Sequence, residues 1–193
     1  MRLVTGRTNR PTLQKKVSIR LSGGHSFSVP EGIDAASIEE VEWLTEYTVL
    51  VPKEFFSPDK AASYFAASGI TIPEYGVVWS DEHEPYVAVM AIANDGRNAF
   101  PALQRHTSPL LHIPTVLQPT VWICDAGSLI YIKVYDPALQ FAEVVPVSGE
   151  ADRSYLISRL LQRIDAERFV LMLDDRDKQI NFYKRHFKTV ICE

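Results

Sequence analysis

Several features are scarce in this sequence, and each scarcity argues against a class of protein. The 193 residues include only 2 cysteines, and 24 acidic residues outnumber 20 basic ones, which leaves a net charge of −4. Two cysteines in separate apolar runs are too few for a disulfide framework or a cysteine-rich metal site. We therefore expect Cys124 and Cys192 to be buried free thiols in a reducing compartment. The acidic balance, without a basic cluster in the folded part, argues against a nucleic-acid partner.

Long apolar runs are also missing. Although 46% of the residues are apolar, which is enough for a sizeable core, no run approaches the roughly 20 residues that cross a bilayer. We therefore expect no membrane partner. Residues 1–16 carry basic side chains but no apolar segment, which is unlike a secretory signal. We interpret them as a basic N-terminal tail and expect the protein to be cytoplasmic.

The strongest pattern in the sequence is a series of strands from Pro119 to Val147. Val121–Cys124 is continuously apolar, as in a strand buried on both faces. Leu129–Tyr135 alternates with a period of two, and Phe141–Val147 forms a third strand. Polar turns separate the strands, at Asp125–Ser128 and at Asp136-Pro137.

The rest of this second part predicts helix, strand, helix and strand. Apolar residues at helical spacing mark the first helix: Leu156, Ile157, Leu160, Leu161 and Ile164. Arg168–Leu173 is a further apolar strand. Asp174 or Asp175 then caps a helix that carries Ile180, Tyr183 and Phe187, and Thr189–Cys192 is the closing strand.

The first part begins with an alternating strand, Val17–Leu21. A glycine turn at Ser22–Gly24 and a return strand, His25–Val29, complete a predicted β-hairpin. Pro30–Glu42 is polar, and we predict that it is irregular apart from a short helical turn.

A third strand, Tyr47–Val51, precedes a helix that Ser57-Pro58-Asp59 starts and Gly69 ends. A second hairpin pairs Val77–Trp79 with Tyr86–Ile92, and Ala99–His106 is predicted to be helical. Proline-spaced residues then mark a boundary between a first lobe, 17–117, and a second lobe, 118–193.

The two parts share a short repeat. Val17-Ser-Ile-Arg-Leu-Ser-Gly23 aligns with Val121-Trp-Ile-Cys-Asp-Ala-Gly127 at an offset of 104 residues, with identical valine, isoleucine and glycine. A third predicted strand and a helix follow in each part. The shared order predicts two similar lobes, each with a mixed sheet that starts with antiparallel hairpin strands and is flanked by helices.

This architecture resembles the actin-like ATPase superfamily, an α/β (α+β) class with a ribonuclease H-like fold. The stretch from Val17 to Val29, followed by Thr48-Val-Leu-Val-Pro52-Lys-Glu-Phe-Phe56, is similar to a bacterial domain-of-unknown-function family numbered 3822. The resemblance extends over most of the chain, from about Val17 onward. It implies the fold and no assigned activity.

The superfamily resemblance also implies where a nucleotide would lie. ATP occupies the cleft between the lobes in that superfamily, where glycines of two hairpin loops admit phosphate and acids orient magnesium. The corresponding cofactor-binding candidates are Gly23, Gly24, Asp125, Gly127 and Ser128. The repeat, however, aligns Asp125 with Leu21, which cannot bind a cation, and no glycine follows Gly149 to build an adenosine loop.

Other polar groupings have simpler explanations. Asp81-Glu82-His83-Glu84 is expected to be a solvated hairpin tip, because neighbouring residues point in different directions and cannot meet metal geometry. His25 lacks a third group to orient it as a catalytic base. We interpret Asp125 as a turn residue that accepts backbone hydrogen bonds.

These observations predict a protein with no catalytic residue, no metal and no cofactor. The leading hypothesis is a non-catalytic actin-like protein that binds another protein or a second copy of itself. The alternative is a degenerate ATP-binding protein or ATPase, with ATP and magnesium between the lobes.

Overall fold

A computed structural model of the chain describes residues 15–21, 34–73, 76–81, 85–93, 99–100, 102–115 and 118–193. In these ranges the strands are β1 Lys15–Arg20, β2 Ile38–Leu44, β3 Thr48–Pro52, β4 Gly76–Trp79, β5 Tyr86–Ile92, β6 Arg105–Thr107, β7 Thr120–Asp125, β8 Leu129–Tyr135, β9 Leu139–Pro146, β10 Val170–Asp175 and β11 Val190–Cys192. The α-helices are α1 Ser63–Ala67, α2 Glu150–Leu161 and α3 Ile180–Tyr183.

The second half forms a five-stranded sheet in the order β11-β10-β7-β8-β9. Strands β7, β8 and β9 are antiparallel neighbours, whereas β10 runs parallel to both β7 and β11. All five strands and both helices of this half lie close to where the sequence predicts them, but α3 ends at Tyr183 and does not extend to Phe187 as predicted. The N-cap residue of α3 is Gln179 and not Asp174 or Asp175, but the Asp175 carboxylate accepts hydrogen bonds from the backbone of Gln179 and Ile180, at 2.6 and 2.8 Å.

Both faces of the central strands β7 and β8 are buried, as the unbroken apolar run of β7 predicts. One face, which includes Ile123 and Ile132, packs against the α2 residues Ile157 and Leu160. The other face, with Trp122, Cys124 and Tyr131, packs against Leu44 and Leu110. The chain between residues 120 and 135 is therefore the wall between two hydrophobic cores, and large apolar side chains contribute roughly 1.5–3 kcal/mol each when fully buried.

The first half contains two three-stranded sheets. One is entirely parallel, in the order β1-β2-β6, and the other is antiparallel, in the order β3-β5-β4. The predicted hairpin of β4 and β5 is confirmed. So is the short helix that follows Ser57: a 3-10 turn, Pro58–Lys60, precedes α1, and Gly69 ends it with a φ of +72°.

Three predictions for this half are wrong. Ile38–Leu44 is a strand in a segment predicted to be irregular, and Arg105–Thr107 is a strand where we expected a helix. The strand predicted at Tyr47–Val51 exists, but it pairs with β5 and not in the sheet of β1, so the predicted order of the first sheet fails. Strand β2 was missed because it is rich in glutamate. Its Glu40 and Glu42 form ion pairs with basic side chains from other elements, and the local sequence does not predict these pairs.

Several predicted features lie outside the described residues, including the return strand His25–Val29, the glycine turn before it and the hairpin tip at 82–84. The described neighbour of β1 is β2, in parallel. Both cysteines are free, as expected, but Cys192 is exposed and only Cys124 is buried. Among the described helices, none combines the length and apolarity required to span a membrane.

Candidate functional site

The candidate phosphate loop of the second half lies between β7 and β8. Asp125 is the last residue of β7, and its Oδ1 accepts a hydrogen bond from the backbone N–H of Gly127 at 3.0 Å. Gly127 has a φ of +83°, in the left-handed region that favours glycine. A Cβ there would also lie 3.2 Å from the Arg20 guanidinium and 3.3 Å from the Asp177 carboxylate. The backbone conformation therefore favours glycine at 127, and a larger residue would also have to displace the Arg20 and Asp177 side chains by a few tenths of an ångström.

The Asp125 carboxylate faces the interior of the protein and is fully buried. Arg153 donates to it twice, from Nε to Oδ2 at 3.0 Å and from Nη2 to Oδ1 at 3.2 Å. The Tyr183 hydroxyl donates to Oδ2 at 2.7 Å. With the N–H of Gly127, four donors surround the two oxygens, so each oxygen accepts two hydrogen bonds, which is its full capacity.

Arg153 extends this network to the rest of the loop. The two hydrogens of its Nη2 are shared among three acceptors, because Nη2 also lies 2.7 Å from the carbonyl oxygen of Gly127 and 2.9 Å from the Asp177 carboxylate. The hydrogen bond from Arg153 to Asp125 raises the pKa of the guanidinium, and burial beside Asp125 raises the pKa of the Tyr183 hydroxyl. The loop is thus tied to α2, to α3 and to the segment after β10.

Two arginines connect this region to the first half. Arg20, at the end of β1, donates to the carbonyl of Ala126. Arg176, after β10, donates from Nη1 to the buried Glu42 carboxylate at 2.5 Å. Burial alone would raise the pKa of Glu42, but hydrogen bonds from Arg176 and Ser18, together with nearby positive charge, lower it below its ordinary value. Glu42 is therefore a charged structural partner.

A polar groove of about 490 Å³ lies beside this contact. Several of its charged lining residues pair with one another: Lys16 and Arg105 with Glu40, at 3.2 and 2.7 Å, and Arg176 with Asp174, at 2.8 Å. Across the described ranges, no group of three or more His, Cys, Asp or Glu side chains is arranged to hold a metal ion. These ion pairs neutralise the charges of the residues that form them.

A second cavity, of about 380 Å³, is lined by Lys133 of β8, the chain from Leu110 to Pro114, and the turn between β8 and β9. Lys133 is 1% exposed. Its Nζ donates to the carbonyls of Leu110, at 3.1 Å, and His112, and lies 4.5 Å from the centre of the Trp122 ring. Burial lowers the pKa of Lys133 to about 7, and the charge of Glu193 opposes the shift only in part.

The structure brings Asp125, Gly127 and Ser128 together in one loop, with Ser128 exposed; Gly23 and Gly24 lie outside the described residues. Sequence reasoning missed Arg153, Tyr183 and Lys133. A usable signal existed for Arg153, since it precedes Leu156 and Ile157 by three and four residues and so lies on the apolar stripe of α2. A charge on a buried stripe indicates a buried partner.

Comparison with known proteins identifies a fold but no family. No family model matches the chain, and no curated protein matches it. Among solved structures, it is similar to a Bacteroides thetaiotaomicron protein of unknown function with an actin-like ATPase fold, at a TM-score of 0.66 and 15% identity over 93% of this chain and 91% of that chain. The likeness shows the actin-like ATPase fold, while family 3822 is not confirmed.

We predict that Arg153→Met destabilises the protein by about 3–5 kcal/mol, because it leaves the Asp125 carboxylate buried without a counter-charge. Urea denaturation measures the change. Arg159→Met, an exposed arginine on the same helix, is the matched control and should cost less than about 0.5 kcal/mol. Equal effects of the two substitutions would contradict the assignment. The double variant Arg153→Met with Asp125→Leu should recover part of the loss.

We predict that Lys133 makes stability rise with pH above 7. The folded-state pKa is about 7 and the ordinary value is 10.5, so between these limits the unfolded chain binds more protons, and unfolding becomes harder by up to about 1.4 kcal/mol per pH unit. Urea denaturation at pH 7, 8 and 9 would compare the protein with Lys133→Met and with the exposed control Lys184→Met. Parallel curves for the protein and Lys133→Met would contradict the prediction.

Proposed function

We propose that this protein of actin-like ATPase fold acts by binding a second copy of itself or another protein and does not hydrolyse nucleotide. The observation that carries the proposal is the state of the Asp125 carboxylate. In phosphoryl transfer, metal ions neutralise charge and position the phosphates, so an acid in this loop would need a free oxygen for magnesium or its waters. Both oxygens of Asp125 are instead occupied by Arg153, Tyr183 and Gly127.

Releasing Asp125 toward a cleft would be costly. Breaking a buried ion pair costs on the order of 3–5 kcal/mol, because the remaining charge loses its partner. A dissociation constant of 1 mM corresponds to about 4.1 kcal/mol of binding free energy. The cost of releasing Asp125 is therefore about as large as the whole binding free energy of a ligand with that dissociation constant. Leu21, the counterpart of Asp125 in the repeat, supplies no charge in compensation; it lies against the core of the first half.

One observation favours the alternative, a degenerate ATP-binding protein. The Arg20 guanidinium lies beside Gly127, so a cation and a positive-φ glycine occur together at the loop. In this alternative, Asp125 and the backbone of Gly23, Gly24 and Gly127 hold the phosphates of ATP with magnesium, between the lobes. It requires rearrangement of the Arg153 network before a metal can bind.

We retain a division into two lobes, residues 17–117 and 118–193, after a basic tail at 1–16. The pairing of the described strands supports it, since none of the strands before residue 108 pairs with one after residue 119. Each range also contains three parallel strands in the same chain order, β1-β2-β6 and β7-β10-β11. The free thiols of Cys124 and Cys192 fit a cytoplasmic setting.

An aromatic patch, defined as Phe55, Phe56, Tyr64 and Trp79, is the surface we assign to the partner. Phe55 and Trp79 are 71% and 37% exposed. The Phe56 ring lies 6.1 Å from that of Tyr64 and 6.0 Å from that of Trp79. Aromatic side chains are enriched in protein interfaces and among the residues that dominate their binding energy. The occupant we favour is a second copy of the chain, since two-fold dimers are the commonest assemblies.

Thermal unfolding with and without MgATP tests the absence of nucleotide binding. We expect no change in Tm, because Asp125 cannot reach the metal. A ligand at a hundred times its dissociation constant would add about 2.7 kcal/mol. A rise of that size would show that nucleotide binds, and release of phosphate from the bound ATP would overturn the proposal. If the rise disappeared in Arg20→Met but persisted in Arg176→Met, the loop-bound ATP of the alternative would be established.

Sedimentation velocity over a range of protein concentrations tests the aromatic patch. We expect a dimer whose dissociation constant rises at least tenfold, about 1.4 kcal/mol, in the double variant Phe55→Ser with Trp79→Ser. Tyr155→Ser removes a side chain of similar exposure, 67%, from α2 and should leave the dimer unchanged. A monomer at every concentration, or a dimer whose dissociation constant is unchanged in the double variant, would exclude self-association through the patch.

A further inference from the structure

We propose that β9 and α2 form a docking groove for an extended peptide segment of a partner protein. The segment adds to the five-stranded sheet beside β9 and carries acidic residues at its C-terminal end. The groove has a volume of about 320 Å³, with β9 on one side and α2 and the residue Arg163 on the other. The aromatic patch contributes none of its lining residues, so the groove does not depend on the proposed self-association.

The outer edge of β9 is open. Val147 donates its backbone N–H to the carbonyl of Ser128, so its backbone faces β8, and the pairing is regular over residues 141–146. Because alternate residues of an antiparallel strand direct their backbone groups to opposite sides, Ala142 and Val144 direct theirs away from β8. Among the strands that the structure describes, only β8 pairs with β9, and no described group bonds to the outer side of these two residues. Such an edge is a template for another strand.

The two faces of β9 determine where the side chains of an added strand would lie. Phe141 and Val145 pack in the same cluster as α2, whereas Ala142 and Val144 pack with Leu50 on the opposite face. Residues of the added strand that pair with the backbone of Ala142 and Val144 would share the face of those residues. The residues between them would point into the groove, where apolar side chains of β9 and α2 form part of the lining. An alternating segment with apolar residues toward α2 therefore fits.

Charged residues give the groove a direction. Residues 147–149 connect β9 to α2, so Asp152, in the first turn of α2, lies at the end of the groove near Pro146. Arg159 and Arg163 lie toward the other end. Both arginines are exposed, and neither has an ion pair with an acid of the described residues. Glu143, on β9, lies between these ends.

The direction of the groove selects the charge pattern of its occupant. Antiparallel pairing is slightly more stable per residue than parallel pairing, and it continues the arrangement of β7, β8 and β9. A strand antiparallel to β9 runs from the end with Asp152 toward the end with Arg159 and Arg163. Acidic residues at its C-terminal end would therefore pair with the two arginines, and a basic residue at its N-terminal end would face Asp152.

Fluorescence anisotropy with a labelled peptide, KTVTVTVDE, tests the groove. Its valines would point toward α2, its threonines would pair with β9, and its charged ends match the two ends of the groove. We expect saturable binding with a micromolar dissociation constant. The reversed peptide, EDVTVTVTK, has the same composition with the charges at opposite ends, and we expect it to bind at least about tenfold more weakly.

N-methylation of the peptide tests whether its backbone pairs with β9. Methyl groups on the threonine amides remove the donors that face β9 and should abolish binding. Methyl groups on the valine amides, which face away from β9, should leave the dissociation constant nearly unchanged. Equal effects of the two sets of methyl groups would contradict the addition of a strand.

Charge reversal in the protein tests the two arginines. Arg159→Glu with Arg163→Glu should weaken KTVTVTVDE at least about tenfold. Lys184→Glu with Lys188→Glu makes the same change of charge at exposed lysines outside the groove and should have no effect. No saturable binding up to about 1 mM peptide, equal affinity for the reversed peptide, or equal effects of the two charge reversals would each overturn the proposal.

Discussion

A buried ion pair between Asp125 and Arg153 holds the centre of the second half together. It joins two residues that are 28 positions apart, one at the end of a strand and one on a helix. Tyr183 and Asp177 bring α3 and the end of β10 to the same point, and the carbonyls of the loop accept bonds from Arg153 and Arg20. Loss of either partner of a buried ion pair destabilises the protein. The position of the loop therefore depends on all of these elements.

The same interaction explains how a loop with the sequence of a phosphate clamp can have a structural role. An aspartate followed by a positive-φ glycine would suit a metal-assisted site, yet here its lone pairs are filled by protein donors. Glu42 behaves alike, since Arg176 neutralises it between the two halves and Ser18 donates a hydrogen bond to it. In both places the charge is neutralised by another residue of the chain. These charged groups therefore hold secondary-structure elements together.

Lys133 provides the contrast. It is as deeply buried as Asp125, but its hydrogen-bond partners are neutral carbonyls and the face of an aromatic ring. A paired buried charge stabilises a fixed arrangement, whereas the charge of Lys133, whose burial Glu193 offsets only in part, is sensitive to pH. The molecule therefore contains a sealed polar centre and, elsewhere, a buried lysine whose hydrogen-bond partners are neutral.

The amino-acid pattern alone determined the five strands of the second half, the hairpin of β4 and β5 and the helices after Ser57 and Gly149, because periodicity and turns act over a few neighbouring residues. The pattern failed at β2, because its glutamates are typical of a loop. It also could not show that Arg153 donates hydrogen bonds to the Asp125 carboxylate or that Lys133 is buried. Tertiary structure decided these points. The partners of those charges come from distant positions, 134 residues away for Glu42 and Arg176, and burial of a charge depends on which elements pack around it.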